Sequence, residues 1–236
     1  MTVLALDIPP SKLPSLFVVF CALFDLTSSG LLLHHIVASL FRVSWGYFLA
    51  VGAAIPLGLV LGLWPAGMSY LNPVIQFLRP ISPLAWIPIA LLWLGIGDKP
   101  AIFLIFLSTF LPMLVFCMSG VAGVNTTYLR VARNFGLKGH EFYFKVILPA
   151  AFPDIVVGLR ITLGTAWLVI VAAEMIAVKS GLGYLIIDSR NSLRMDYVIG
   201  AMIIIGVIGF FLDYLIRQLE HLPVVKWSRA HHESCA

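Results

Sequence analysis

Five apolar runs, interrupted by one long polar stretch, constrain this chain more than any other feature. The runs cover residues 45–64, 74–96, 101–124, 155–178 and 197–219. The stretch 125–154 reads NTTYLRVARNFGLKGHEFYFKVILPAAFPD and carries Arg130, Arg133, Lys138 and Lys145. Each run is close to the roughly 20 residues a helix needs to cross the hydrocarbon of a bilayer. In lipid the backbone must satisfy its own hydrogen bonds, and runs of this length do so as helices. The chain is 61% hydrophobic and 11% charged, where a soluble domain has roughly 25% charged residues. A soluble core cannot hide that much apolar surface. The expectation is an all-α integral membrane protein with about five transmembrane helices.

The runs differ in kind. The first is entered by a helix starting near His35, and it contains Pro56 with Gly46, Gly52, Gly58 and Gly62. Such residues are tolerated in membrane helices and let neighbouring backbones approach closely. The second holds Pro80, Pro83 and Pro88, with Pro73 just ahead of it, and should be bent or broken. The third follows a tight turn at Gly97-Asp98-Lys99-Pro100. A weaker apolar segment, 13–24, is too short to cross and suits a helix lying in the interface. Placing 125–154 in the cytoplasm puts nine Lys/Arg inside and six outside, an excess in the direction of the positive-inside rule. Three parts follow: an extracytoplasmic or interfacial segment (1–34), a membrane domain (35–219) with a cytoplasmic loop (125–154), and a cytoplasmic tail (220–236).

The loop has helical periodicity from Tyr128 to Phe135, and Leu129, Ala132 and Phe135 give it a small apolar face beside Arg130 and Arg133. Gly136 breaks the pattern and permits a positive-φ elbow with close approach by a partner. Leu137 and Lys138 follow, and a second amphipathic stretch runs from His140 to Leu148. Pro149 and Pro153 are expected to end it and turn the chain back into the membrane. The whole reads as a docking surface lying near the inner face of the membrane.

Several chemistries find no support. There is no phosphate-binding glycine loop, no HExxH and no GxSxG, so no catalytic residue is assigned. The pairs His34-His35 and His231-His232 lack carboxylate or thiolate partners, and no metal site is expected. Cys21, Cys117 and Cys235 are far apart and read as packing residues or free thiols. The N-terminus lacks the basic start of a signal peptide.

Further residues carry a resemblance. Ala132, three residues, Gly136, nine residues, Val146, one residue, then Leu148-Pro149 is similar to the "EAA" loop of ABC importer permeases. Arg130 and Val131 stand where that motif begins with Glu and Ala. The segments Arg79-Pro80-Ile81-Ser82-Pro83-Leu84-Ala85-Trp86-Ile87-Pro88 and Trp93-Leu94-Gly95-Ile96-Gly97 resemble the nitrate/sulfonate/taurine/bicarbonate branch. So do Gly158-Leu159-Arg160, Ala172-Ala173-Glu174-Met175-Ile176 and Gly181-Leu182-Gly183-Tyr184. Members of that branch usually have a further N-terminal helix before the Leu-Pro-Ser segment, here Leu13-Pro14-Ser15; either the bundle works with five helices or the sequence starts downstream of that helix. The resemblance implies a type I importer permease fold and a homodimer with its pore on the two-fold axis. It also implies two cytoplasmic ATPase subunits gripping the loops and an external substrate-binding protein. The cargo would be a small oxyanion, and ATP and Mg would sit on the ATPase partners with no cofactor on this chain. The protein would be multi-pass in the bacterial inner membrane. A scaffold or receptor subunit that recruits a partner through 125–154 without moving solute is the alternative.

Ser82, Trp86, Thr162, Thr165, Trp167 and Glu174 are candidates to line a translocation path. Helix packing and internal hydrogen bonding are the competing roles. An acid inside a span suggests function by default. Glu174 nevertheless lies near the outer end of its run, where pairing with Lys179 or a backbone group is the alternative. Arg160 either snorkels to headgroups or meets the loop. The mixed-charge run 188–196 is either a solvated loop or a contact for the external protein.

Overall fold

The structure is a computed structural model that describes residues 14–137 and 139–220. Its helices are α1 (Leu16–Ser28), α2 (Leu31–Gly62), α3 (Pro65–Leu78), α4 (Ile87–Leu94), α5 (Asp98–Ala122), α6 (Thr126–Asn134), α7 (His140–Phe142), α8 (Leu148–Ala177), α9 (Leu182–Asn191) and α10 (Met195–Glu220). No strand occurs among the described residues. Four helical stretches are long and apolar enough to cross a membrane: Leu31–Gly62, Asp98–Ala122, Tyr143–Ala177 and Met195–Gln218. A fifth span is broken. Ser69–Leu78 and Pro83–Leu94 meet at 83°, with a 3-10 turn at Pro83–Trp86 leading into α4. This is the bend that the prolines of 73–88 demand. The tail 221–236, with His231-His232 and Cys235, lies outside the described residues, as do Lys138 and the start of the chain.

Three boundaries differ from the sequence reading. Helix α2 starts at Leu31 rather than near His35. Helix α5 starts at Asp98, so the tight turn sits earlier, where Gly95 and Gly97 take φ of 75° and 141°. Most informative is the loop's end. Pro149 and Pro153 do not end a helix but lie within α8. Both lie in one continuous helical stretch, Tyr143–Ala177, and Pro149 follows directly on a π-helical turn in which the Leu148 N–H reaches back to the Tyr143 carbonyl, the kind of local adjustment by which membrane helices tolerate proline. A π-helical turn, Tyr143–Ile147, joins α7 to α8.

The chain forms two compact units. The first gathers the described residues up to Gly46 with Pro83–Ile105 and Trp167–Phe211. Its core includes Leu26, Leu104, Ile170 and Leu182, all buried. Helix α1 is attached there through Val19, Ala22 and Leu26, while Phe17, Phe20 and Phe24 face outward. Leu23 lies against Gly200 of α10.

The second unit gathers Tyr47–Ser82, Phe106–Ala166 and the described residues from Leu212. Its core is built on Met113, Cys117, Val121, Ile147, Ala151 and Ile155. Gly58 and Gly62 of α2 sit one turn apart on Cys117 and Val121 of α5, where an added Cβ would stand 2.4 and 2.6 Å from those side chains. This is the small-xxx-small contact that brings membrane helices to close range. Gly52, grouped with them by sequence, has nothing within 4 Å of such an added atom. Gly158 of α8 meets Phe116 of α5 in the same way, at 2.7 Å. The Tyr47 hydroxyl donates to the Leu159 carbonyl at 2.7 Å.

Candidate functional site

The second unit carries the polar loop. Asn125 caps α6, its Oδ1 accepting the Thr127 N–H at 2.9 Å, as expected of Asn ahead of a helix. Along α6 Ala132 is buried and Leu129 packs on the unit's core, so the helix is held down by one narrow apolar edge. Arg130, Val131 and Tyr128 face out. Arg133 occupies the last turn of α6. Beyond it Phe135 is 82% exposed. Gly136 turns the chain at φ 75° with no atom within 4 Å of where a Cβ would stand. The Leu137 N–H returns to the Ala132 carbonyl at 3.1 Å, closing the end of the helix. Gly139 also takes a positive φ, 57°. In the second half of the loop Lys145 pairs with Glu141 at 2.8 Å, one turn away. Phe142 and Leu148 pack on the core, while Phe144 and Pro149 are exposed. The loop is therefore a two-part platform anchored by Leu129, Ala132, Phe142, Ile147 and Leu148. It presents a bare aromatic ring at a glycine elbow.

The first unit holds a buried polar knot that sequence reasoning saw only in part. Glu174 on α8 is fully buried. The Ser39 hydroxyl lies 2.8 Å from both of its carboxylate oxygens. Arg42 Nη1 donates to Oε1 at 2.7 Å, and the Gly183 N–H donates to Oε2 at 3.0 Å. Arg42, 3% exposed, also donates from Nε to Asp98 at 2.7 Å. It further bonds both the carbonyl and the hydroxyl oxygen of Ser180. His35 Nδ1 accepts the Gly181 N–H at 3.0 Å, and Ser39 Oγ accepts the Leu182 N–H at 2.9 Å. Three side chains from other helices thus take the three amides at the start of α9, which local residues leave uncapped. Glycine makes the corner possible: a Cβ on Gly181 would stand 2.2 Å from the Glu174 carboxyl, and one on Gly183 would stand 2.2 Å from the Val171 carbonyl oxygen.

Glu174 is thus paired with Arg42 and with a backbone group, the Gly183 amide, rather than with Lys179. The missed signal was spacing. His35, Ser39 and Arg42 stand at i, i+4 and i+7 in a mostly apolar helix, so they share one face.

The other path candidates are placed as follows. Thr162 Oγ1 donates to the Gly158 carbonyl at 2.7 Å and Thr165 Oγ1 to the Thr162 carbonyl at 2.9 Å. Both bonds stay within α8. Trp167 Nε1 donates to the Ile205 carbonyl of α10 at 3.1 Å. Ser82 is exposed and Trp86 half-buried at the broken span. Arg160 has a carboxylate partner on another helix. It grips Asp213 of α10 through Nε and Nη2 at 2.8 and 3.0 Å. In the run 188–196, Asp188–Asn191 close α9 and Leu193 takes φ 56°. The Arg194 guanidinium bonds Asp196 at 2.9 Å and lies 3.8 Å from the Tyr197 ring centre. The Asp196 carboxylate holds that guanidinium more firmly protonated than usual.

Comparison with known proteins agrees with this architecture. A protein of Methanocaldococcus jannaschii is 44% identical over 193 residues, 81% of this chain and 72% of that one. The taurine transport system permease protein of Escherichia coli is 38% identical, covering 79% and 68% of the two chains. The nitrate import permease protein of Synechocystis is 40% identical, covering 80% and 69%. A chain of the inward-facing MetNI methionine ABC transporter shares the fold, with TM-score 0.64 at 19% identity over 80% of this chain and 95% of that one. The fold is that of a type I ABC importer permease. The family described as binding-protein-dependent transport system inner membrane component matches residues 54–222, and this multi-pass chain belongs to it.

Proposed function

We propose that this permease subunit imports a small oxyanion and takes its drive from a cytoplasmic ATPase at 125–154. The supporting observation is the form of the loop: a short amphipathic helix, an exposed Phe135 and a positive-φ Gly136. A surface that leaves an aromatic ring bare while its neighbours are anchored suits insertion into a partner's groove. Leu129, Arg130, Ala132, Arg133, Phe135, Gly136, Leu137, Lys138, Leu148 and Pro149 are the residues assigned to that contact.

In this reading two copies form the pore, two ATPase subunits hold ATP and Mg, and an external binding protein delivers the solute. Closure of the ATPase pair draws the loops together and opens the cavity outward, and hydrolysis reverses the motion. The oxyanion class rests on the relatives named for taurine and nitrate. Ser82, Trp86, Thr162, Thr165, Trp167 and Glu174 remain the residues proposed near the path. For Glu174 the role is indirect, through the knot it completes.

The test is Gly136→Val in proteoliposomes holding the ATPase partner. A β-branched residue is strained at that φ. Uptake should fall at least tenfold (about 1.4 kcal/mol) with membrane insertion intact. Normal uptake would end the docking-elbow reading.

A further inference from the structure

Around Glu174 the first unit builds, from one face of α2 and the start of α9, what chemistry recognises as an oxyanion site. Arg42 Nη1, the Ser39 hydroxyl and the Gly183 amide all donate to one carboxylate at 2.7–3.0 Å. Charge-assisted bonds of this kind are the strong ones. Arg42 and Ser39 are themselves buried, at 3% and 1% exposed, so the donors are not surface groups that happen to converge. Arg42 keeps a second carboxylate, Asp98 on Nε, which is half-exposed. The anion in the site is therefore not needed to neutralise the guanidinium outright. It satisfies donors that would otherwise be buried without partners.

We propose that Glu174 is a tethered anion filling this built site, and that removing its carboxylate opens the site to a small free carboxylate. The size of the occupant follows from the corner glycines. The carboxyl lies where a Cβ on Gly181 would stand 2.2 Å away, so the space takes a planar carboxylate and not a bulkier group. In Glu174→Ala, acetate supplies the missing Cγ and carboxyl atom for atom. The tether explains how a buried guanidinium in a membrane protein avoids capturing passing anions: its donors are already committed. This inference rests on the geometry of the knot and holds whatever solute the protein carries.

The experiment compares thermal unfolding of the full-length chain, extracted with its native partners, in gluconate, acetate and formate at one ionic strength. The wild type should melt at the same temperature in all three. Glu174→Ala should melt lower in gluconate and recover by about 2–4 °C in acetate, a shift typical of a ligand that stabilises by a modest factor. The double variant Arg42→Ala/Glu174→Ala should show no recovery. Glu174→Gln, whose amide fills the same volume, should be insensitive to the anion. If Glu174→Ala assembles poorly in gluconate, acetate present during extraction should restore it, and only when Arg42 is intact. Equal melting of Glu174→Ala in acetate and gluconate, recovery that persists without Arg42, an equal response by Glu174→Gln, or failure to assemble in every anion would each overturn the proposal.

Discussion

The loop in the second unit and the knot in the first are both polar groups set in an apolar chain, and they are built in opposite senses. In the loop the polar residues are contiguous in sequence, those described, such as Tyr128, Arg130 and Lys145, face outward, and only a thin apolar edge holds them down. In the knot they come from residues 35, 39, 42, 98, 174, 180, 181, 182 and 183, and nearly every donor and acceptor is turned inward. The first arrangement has interaction capacity left for another molecule. The second has spent it internally. A charged residue in such a chain therefore signals a partner only when its bonds are not already met at home.

That contrast can be broken or sharpened by substitution, beginning with the largest expected loss. Arg42→Leu leaves the Glu174 carboxylate buried without its guanidinium, and stripping one partner from such a pair costs about 3–5 kcal/mol. Denaturant unfolding of the purified protein should register it, and a loss under about 1 kcal/mol would mean the knot is not held by charge. Gly183→Ala comes next. Its methyl would press on the Val171 carbonyl oxygen, and overpacking of this kind costs about 1–3 kcal/mol, read as a lower melting temperature. Phe135→Ser is the smallest in stability: a ring 82% exposed should leave unfolding within about 0.5 kcal/mol of wild type. The same change should depress ATP-driven uptake severely. A Phe135 variant that unfolds early would erase the distinction between the two regions.

Much of the fold was legible in advance because lipid imposes a simple rule. Apolar runs of the right length marked four continuous spans, and the proline cluster at 73–88 marked the broken one. The loop was legible because its residues adjoin and its glycine sits where the periodicity stops. Pro149 and Pro153 were misread as a stop because proline is disfavoured inside a helix, whereas this membrane helix runs through both, with a π-helical turn just ahead of Pro149. The knot was largely hidden. Glu174 stood out as an acid in a span, yet its partner lay 132 residues away, and only the His35-Ser39-Arg42 spacing hinted at a shared face. Long-range pairing leaves little trace in a local pattern. The same holds for Arg160, whose partner Asp213 is 53 residues on.

The seam where Gly58 and Gly62 rest on Cys117 and Val121 has a mechanical corollary. The α2 side of that line has no side chains at all, and the short ones facing it have little room to turn, so the seam can accommodate little shear. Within the second unit those portions of α2 and α5 should travel as a single rigid beam through any working cycle, and deformation must be sought elsewhere in the bundle.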